Sequence, residues 1–234
     1  GDELVAPEAT PLPHQIRRSH ATALEALITG MKLGKVESLH IADDPLALKD
    51  TITEALPAHD ILIFTGGISK GKYDYVAPVL TELLGSPHFH GIAQRPGKPM
   101  AFWTHKPNND PTTRADDGAA EGREECKRLI FAHPGNPVSV MACAARYLIP
   151  SLVEILSGRS PTPQQLPATG GFHCPTHFTG LIPCRINNGR IQLVPASNSG
   201  NFLALAATDG IAQLPGELTG KELLNEPASF YPWA

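Results

Sequence analysis

The 234-residue sequence has few cysteines, no surplus of basic residues and no apolar run of membrane-spanning length. Because its four cysteines include no CxxC pair, they do not indicate a disulfide framework, and we expect reduced thiols. No apolar run approaches the roughly 18 to 20 residues of a membrane helix, and no charged-then-apolar leader opens the chain. The net charge of −4 gives nucleic acid no general electrostatic attraction. We therefore expect a cytoplasmic protein that binds neither nucleic acid nor membranes.

The N-terminal two thirds of the chain alternates between strand and helix patterns. Asp44 and Pro45 suit the cap and the first residue of one helix, and the last helix is expected to bend near Pro150. The predicted strands are 36–42, 60–65, 89–95, 100–105 and 128–133, and the predicted helices are 14–33, 45–56, 73–85 and 138–156. The alternation predicts an α/β domain over residues 1–158, with a mostly parallel sheet and helices on both faces. The chain begins with Gly1 and not Met, which indicates a piece of a longer protein.

Two segments differ in composition from this pattern. Residues 106–127 are polar and nearly free of large apolar side chains, which predicts a mobile insertion, with a regulatory role as the alternative. After residue 158 the chain is rich in Pro, Gly, Ser and Thr, and turn signals such as Asn187-Asn188-Gly189 separate short apolar runs. The predicted strands here are 181–186, 190–196, 202–207 and 210–215. They predict a small all-β domain over residues 159–234.

Two glycine-rich corners follow predicted strands and precede predicted helices: Gly66-Gly67-Ile68-Ser69 and Pro134-Gly135-Asn136-Pro137. Glycine lets backbone N–H groups approach a ligand closely, and a helix N-terminus favours negative charge, so each corner suits phosphate or another oxyanion. Taken singly, each corner is also explained as a turn without a ligand, with Asn136 capping its helix. Because ligands of open α/β sheets lie beyond the carboxyl ends of the strands, we expect the corners to meet there.

Acidic and basic side chains follow the same predicted strands. Asp43 and Asp74, together with Glu3, could hold a hard cation such as Mg²⁺ that bridges to phosphate oxygens. Arg95 and Lys98 flank a Pro-Gly corner and offer cationic donors for anionic oxygens. Singly, Asp43 and Asp74 are also explained by neighbouring helix starts, and the cations by a solvated turn. Together, these residues predict a site for a phosphorylated ligand and a metal at one sheet edge.

A second group of metal-ligand residue types lies in the predicted β domain. It consists of His173, Cys174, His177 and Cys184. Their spacing matches no common structural zinc motif well, so we do not expect zinc there.

Six segments occur in the chain in an order typical of one known family. They are GDELV (1–5), DDP (43–45), TGGISKGKYDYV (65–76), RPGKPMAF (95–102), HPGNPVS (133–139) and SNSGNFLALAATDGIAQLP (197–215). In these segments the chain resembles the molybdopterin molybdotransferases, the family of MoeA-type enzymes and the E domain of gephyrin. The resemblance implies a MogA-like three-layer α/β/α domain followed by a small β-barrel domain, in a protein whose longer forms dimerise. It also implies insertion of molybdate into adenylylated molybdopterin, with release of AMP and assistance from Mg²⁺. A MogA-like adenylyltransferase would supply the adenylylated substrate.

The resemblance also assigns roles to the residues that match the family's motifs. The implied catalytic residues are Glu3, Asp43, Asp74, Arg95, Lys98 and Ser199, with Arg95 standing where the family has lysine. The implied ligand-binding residues are Gly66, Gly67, Ser69, Gly71, Pro96, Gly97, Pro134, Gly135, Asn136 and Ser139. The acids Glu3, Asp43 and Asp74 would hold Mg²⁺ or orient the attacking group, and the two cations would stabilise developing charge. Ser69 and Asn136 would help to position phosphate or molybdate.

The chain departs from the family pattern at Lys72, Gly91, Arg18 and His20. The added positive charge either strengthens anion binding or accompanies a changed ligand. Two other functions stay open at this point: a MogA-type molybdopterin adenylyltransferase and a gephyrin-like scaffold that binds peptides. The predicted β domain argues against the first, because that sister family consists of the α/β domain alone.

Overall fold

The structure is a computed structural model, and it describes residues 3–69, 71, 74–106, 127–198 and 200–233. The expectations for Lys72, for Ser199 and for most of the segment 106–127 lie outside the described residues. The helices are α1 (His20–Gly30), α2 (Pro45–Ala58), α3 (Val76–Leu84), α4 (Pro137–Cys143) and α5 (Ile149–Ser157). The strands are β1 (Leu4–Val5), β2 (Ile16–Arg17), β3 (Ile61–Thr65), β4 (Phe89–His90), β5 (Gln94–Arg95), β6 (Ala101–His105), β7 (Arg128–His133), β8 (Gln164–Gly170), β9 (Thr179–Asn187), β10 (Arg190–Leu193), β11 (Gly210–Pro215) and β12 (Leu223–Pro232).

The N-terminal sheet has four strands in the order β3-β7-β6-β4. Only β3 and β7 pair in parallel, whereas β7 with β6 and β6 with β4 are antiparallel. The prediction of a mostly parallel sheet is therefore wrong. The antiparallel pairing follows from the connections between the strands. No helix separates β4, β6 and β7 among the described residues, and neighbouring strands without a helical crossover pair antiparallel.

Two predicted strands differ in the structure. Residues 36–42 form no regular strand, although Val36 and Ile41 pack against the core. The predicted strand 89–95 is divided, because β4 joins the N-terminal sheet while β5 pairs with β9 of the second sheet. The helix predicted over 14–33 is also shorter, since α1 begins only at His20 and β2 occupies the start of the segment.

Helices cover both faces of the N-terminal sheet. Alternate residues of β7 divide between two cores, with Phe131 on one side and Ile130 and Ala132 on the other. The first core packs α1, α4 and α5, and the second packs α2 and α3. Asp44 caps α2 as predicted, because its Oδ1 accepts a hydrogen bond from Leu46 N at 2.8 Å. The sheet with helices on both faces agrees with the three-layer prediction.

The C-terminal strands close into a five-stranded barrel in the order β10-β8-β12-β11-β9, with β9 pairing back to β10. The predicted turn at Asn188-Gly189 joins β9 to β10, and both residues have positive φ. The segment 202–207 is not the predicted strand, since Phe202–Leu205 forms a 3-10 helix. Sequence analysis also missed β8 and β12, which contain Pro167 and Pro227 and so lack a clear strand pattern.

A continuous helix over Pro137–Ser157 connects the two halves of the molecule. Its middle, Ala144–Leu148, is a π-helical turn in which Ile149 N donates to Ala144 O. Pro150 follows at once and has no N–H to donate to the carbonyl of Arg146. The helix is therefore irregular just before Pro150 but continues unbroken to Ser157, and the predicted bend stays a prediction. Ala142 and Ala145 pack against the barrel residues Leu181, Ile211 and Tyr231.

By length and composition alone, the helix Pro137–Ser157 could cross a membrane. The sequence analysis expected no apolar run of this length and so missed it. However, 61% of its most apolar window is buried inside the protein. Burial of this kind is typical of the core helix of a folded domain.

Candidate functional site

The two glycine-rich corners meet at the ends of β3 and β7. The strands end in register, with Thr65 opposite His133, and Gly66 N donates to His133 O at 3.0 Å. A Cβ added to Gly135 would lie 3.3 Å from the Cα of Gly66. Since a side chain at Gly135 would crowd Gly66, backbone groups of both corners lie close together at this edge. The prediction that these two corners converge is confirmed.

The second corner leads into the N-terminus of the long helix. Asn136 is the N-cap residue and Pro137 the first helical residue, but the Asn136 side chain makes no capping hydrogen bond. The predicted capping by Asn136 is therefore absent, and its exposed amide points to no N–H of the first turn. Pro134 and Ser139 are buried beside it. This helix start keeps the partial positive charge that attracts anions.

Asp74 closes the loop that follows Gly66 and Gly67. Its Oδ2 accepts a hydrogen bond from Gly71 N at 2.5 Å, and its own N donates to Gly71 O at 3.2 Å. Ser69 is exposed on this loop, and Ile68 is buried with its carbonyl accepting a bond from His90 Nε2. The carboxylate of Asp74 thus holds the glycine-rich loop in shape.

Asp43 shares a cleft of about 830 Å³ with the first glycine corner. The cleft runs between the open edge of β3 and the segment 36–42, where a strand was predicted. Its lining includes Asp43, Gly66, Gly67 and Tyr75. Asp43 is exposed and Asp44, next to it, caps α2. The cleft is large enough for a ligand of nucleotide or pterin size.

The three predicted metal ligands do not form a cluster. Across the described ranges, no group of three or more His, Cys, Asp or Glu side chains could hold a metal ion. Glu3 is exposed and precedes β1, which pairs only with β2 in a sheet of its own. Glu3 therefore does not stand at the end of a strand of the N-terminal sheet, where Asp43 and Asp74 were expected to meet it.

The residues considered for zinc do not gather either. Cys174 and Cys184 lie in the barrel core, whereas His173 and His177 are exposed. Burial raises the pKa of Cys184 to about 12, which disfavours the thiolate that zinc requires.

The loop Arg95–Pro99 lies against the barrel and not at the edge of the N-terminal sheet. Arg95 pairs with Gly180 of β9, and Thr179 N donates to Ala93 O at 2.8 Å. Lys98 Nζ lies 5.5 Å from the ring centroid of Phe178, within the range of a cation–π contact. The two cations are exposed, so they face solvent at the junction between the two halves of the protein. The prediction that Arg95 and Lys98 lie at the same sheet edge as the glycine corners is wrong, because β5 pairs with β9 of the barrel.

Gly97 is the tightly packed residue of this loop. Its φ is +97°, and an added Cβ would lie 2.6 Å from both Cys143 Sγ and Gln94 Nε2. Gln94 is 1% exposed, and its Nε2 donates to Gly97 O at 3.3 Å. Sequence analysis missed Gln94. The available signal was the amide of Gln94 itself, which directly follows the uncharged run Gly91–Ala93 and precedes Arg95.

His133 is a second buried polar residue to which the sequence gave no role. Its side chain is fully buried, and neither ring nitrogen has a hydrogen-bond partner among the described residues. Burial lowers its pKa from 6.5 to about 4, so the ring is neutral at pH 7. Because the carbonyl of His133 holds Gly66, this costly buried group lies at the strand end that carries both corners.

We expect acid to destabilise the protein through His133. The unfolded imidazole takes up a proton near pH 6.5, whereas the folded protein keeps it neutral down to about pH 4. The unfolded state therefore binds more protons in this window, and the free energy of unfolding falls by about 3 kcal/mol as pH decreases through it. Urea unfolding at about pH 7.5 and about pH 4.5 should show that His133→Leu removes this part of the loss.

His173→Leu is the matched control, because His173 is exposed. It should keep the pH dependence of the unchanged protein. An identical pH dependence in the His133→Leu protein would contradict the prediction.

Comparisons with known proteins give the family of the chain. A family model described as a probable molybdopterin binding domain matches residues 1–154. A molybdopterin molybdenumtransferase of Synechocystis sp. is 32% identical over 238 residues, covering 100% of this chain and 54% of the relative. One of Nostoc sp. is 31% identical, covering 96% of this chain and 50% of the relative. The chain thus spans about half the length of the curated relatives it matches.

Among solved structures, a molybdopterin biosynthesis MoeA protein from Pyrococcus horikosii matches with a TM-score of 0.69. Its sequence is 22% identical, and the match covers 99% of this chain and 52% of that chain. The shared fold is the mixed α/β sheet followed by the closed five-stranded barrel. Since the family model matches residues 1–154, the chain belongs to the family of the probable molybdopterin binding domain, and over its length it is similar to molybdopterin molybdenumtransferases.

Proposed function

We propose that this chain forms the catalytic half of an enzyme that inserts molybdate into adenylylated molybdopterin and releases AMP. The observation that carries the proposal is the meeting of the Gly66 and Gly135 corners at the ends of β3 and β7. Both corners present backbone close to the start of a 21-residue helix whose N-cap side chain makes no cap bond. Such a place favours the phosphate of an adenylylated substrate or the oxyanion molybdate.

In this proposal the cleft along β3 receives the substrate, and the glycine corners hold its anionic group. Asp74 fixes the loop between the first corner and α3 through Gly71, so the backbone groups of that loop are preorganised. Arg95 and Lys98 supply positive charge from the barrel junction, where developing negative charge on the leaving phosphate is stabilised. Ser69 and Ser139 remain proposed ligand-binding residues, and Ser199 remains a proposed catalytic residue.

The proposal includes Mg²⁺, but with fewer protein ligands than the sequence predicts. A cage of three acids is not formed by the described residues, but Mg²⁺ usually takes one or two carboxylates and completes its shell with water and substrate phosphates. Asp43 fits this requirement, because it lines the same cleft as Gly66 and Gly67. When bound there, the ion would neutralise phosphate charge. We propose that Glu3 contributes to the Mg²⁺ site only in the longer, dimeric protein.

The proposal includes three features of the whole protein. We propose that the longer form is a homodimer, that it works in the cytoplasm, and that a MogA-like adenylyltransferase supplies its substrate. The MogA-like character of the α/β domain and the division near residue 158 belong to the same proposal. Support for the division comes from α5, which ends at Ser157, and from the barrel, whose first strand begins at Gln164.

Molybdate-dependent release of AMP from adenylylated molybdopterin tests the proposal. The assay compares this chain with its longer natural form, with and without Mg²⁺. We expect release by the longer form that depends on molybdate. If the longer form folds and binds molybdopterin but releases no AMP, the enzyme assignment is wrong and a binding or scaffolding role takes its place.

A further inference from the structure

A buried hydrogen bond connects the long helix to the base of the Arg95–Pro99 loop. Tyr147, half-buried on the helix, donates its hydroxyl to Gln94 Oε1 at 2.5 Å. The other end of the Gln94 amide donates to Gly97 O and lies 3.4 Å from Cys143 Sγ. Both ends of this buried amide are therefore satisfied, one by the helix and one by the loop.

The direction of the bond is set by the carbonyl of Gly97, which accepts from the Gln94 amide nitrogen and leaves Gln94 Oε1 facing the Tyr147 hydroxyl. Burial raises the pKa of Tyr147, so its hydroxyl acts as the donor and the Gln94 carbonyl oxygen as the acceptor. This orientation turns the Gln94 NH₂ group toward the loop. If the amide were reversed, its nitrogen would face the hydroxyl and its oxygen would face the carbonyl of Gly97, which cannot donate.

Tyr147 lies in the π-helical turn, next to the residue that contacts the barrel. Arg146 Nε donates to Gln213 Oε1 of β11 at 2.6 Å, and its guanidinium lies 4.9 Å from the Tyr231 ring centroid. It also lies 5.0 Å from the ring of Tyr147 itself. A π turn, which is often found at functional sites, thus places neighbouring residues against the barrel and against the loop anchor.

We propose that Tyr147 is a positioning residue: through Gln94 it holds the Arg95–Pro99 loop, and so the cations Arg95 and Lys98, in place for an anionic substrate. Neither Tyr147 nor Gln94 touches the substrate. The loop carries its cations on exposed positions at a junction. Its backbone is otherwise fixed by the pairing of β5 with β9 and by two bonds within the turn, from Ile92 N to Lys98 O at 2.8 Å and from Met100 N to Gly97 O at 3.2 Å. The catalytic consequence rests on the proposed function, whereas the anchoring of the loop does not.

Hydrogen exchange of the 234-residue chain, without ligand, tests the anchoring directly. In Tyr147→Phe, we expect amides of residues 91–100 to exchange about tenfold faster, because one buried hydrogen bond is lost and its partner is left unpaired. Amides of β11 and β12 should keep their protection. Tyr231→Phe is the matched control, since it removes the same atom from the other ring that packs on Arg146. It should leave residues 91–100 unchanged.

A double variant separates positioning from general stability. Gln94→Met with Tyr147→Phe removes both polar partners, so the cost of an unpaired buried amide disappears and the urea midpoint should recover. The loop should stay fast-exchanging, because the bond from the Gln94 amide to Gly97 O is not restored. Unchanged exchange at residues 91–100 in Tyr147→Phe, or full recovery of loop protection in the double variant, would overturn the proposal.

The longer natural form connects the anchor to substrate. There, Tyr147→Phe should raise the KM for adenylylated molybdopterin about tenfold and change kcat less, while Tyr231→Phe changes neither. A KM equal to that of the unchanged protein would overturn the positioning role. If no variant and no unchanged protein releases AMP, the proposed function fails, and the exchange result still decides whether Tyr147 anchors the loop.

Discussion

Replacing Gly97 with alanine should lower the free energy of unfolding by about 3 kcal/mol. The new methyl group would lie 2.6 Å from Cys143 Sγ and from Gln94 Nε2, and both of those side chains are buried. The backbone there also has a φ of +97°, which an alanine adopts only with strain. Urea unfolding measures the loss. In the longer form, the same variant should lose substrate affinity, because the cations on either side of Gly97 move with the loop.

Gly158→Ala is the control that separates crowding from backbone strain. Gly158 has a φ of +69° and is left-handed, but no atom lies within 4 Å of an added Cβ. It should cost about 1 kcal/mol, the strain of the left-handed conformation alone. Equal losses at the two positions would show that Gly97 is not tightly packed and would contradict the geometry of this loop.

Asp74→Asn should reduce molybdate-dependent AMP release by the longer form about 100-fold. The asparagine oxygen can still accept a bond from Gly71 N, so the loop keeps its shape, but the negative charge is gone and the bond is no longer charge-assisted. The expected loss therefore measures the charge of Asp74 more than the fold of the loop. Initial rates of AMP release give kcat and KM separately.

Two further variants define what that result means. Asp50→Asn removes a carboxylate from the exposed face of α2 and should leave the rate unchanged. Asp74→Ala removes both the charge and the bond to Gly71 and should be at least as slow as Asp74→Asn. Full activity in Asp74→Asn would remove Asp74 from the catalytic residues and leave it as a structural clamp.

The elements best predicted from sequence are those whose signals are local. A continuous apolar run predicts β3, Asp44 followed by Pro45 predicts the start of α2, and Asn188-Gly189 predicts the turn after β9, and the structure contains all three. The convergence of the two glycine corners could also be predicted. Corners that follow parallel strands meet wherever those strands are neighbours, as β3 and β7 are.

The elements that sequence could not predict depend on partners distant along the chain. Nothing in the residues 89–95 says that the second half of this run belongs to a barrel that begins some 70 residues later. The same holds for Gln94 and Tyr147, whose bond joins a strand to a helix 53 residues later in the chain. Glu3 was placed by motif order alone, and order along the chain does not bring side chains together in space.

The pairing of β5 with β9 also sets an order of events during synthesis. Gln94 and Arg95 pair with Thr179 and Gly180, which the ribosome adds long after β5 has emerged. The nascent α/β domain can therefore build its sheet early, since β3, β4, β6 and β7 are all made by residue 133. Its cationic loop must wait for the barrel, because a contact between distant segments forms only when both exist. A chain halted before residue 179 would carry the glycine corners together with a cationic loop that lacks its pairing to β9.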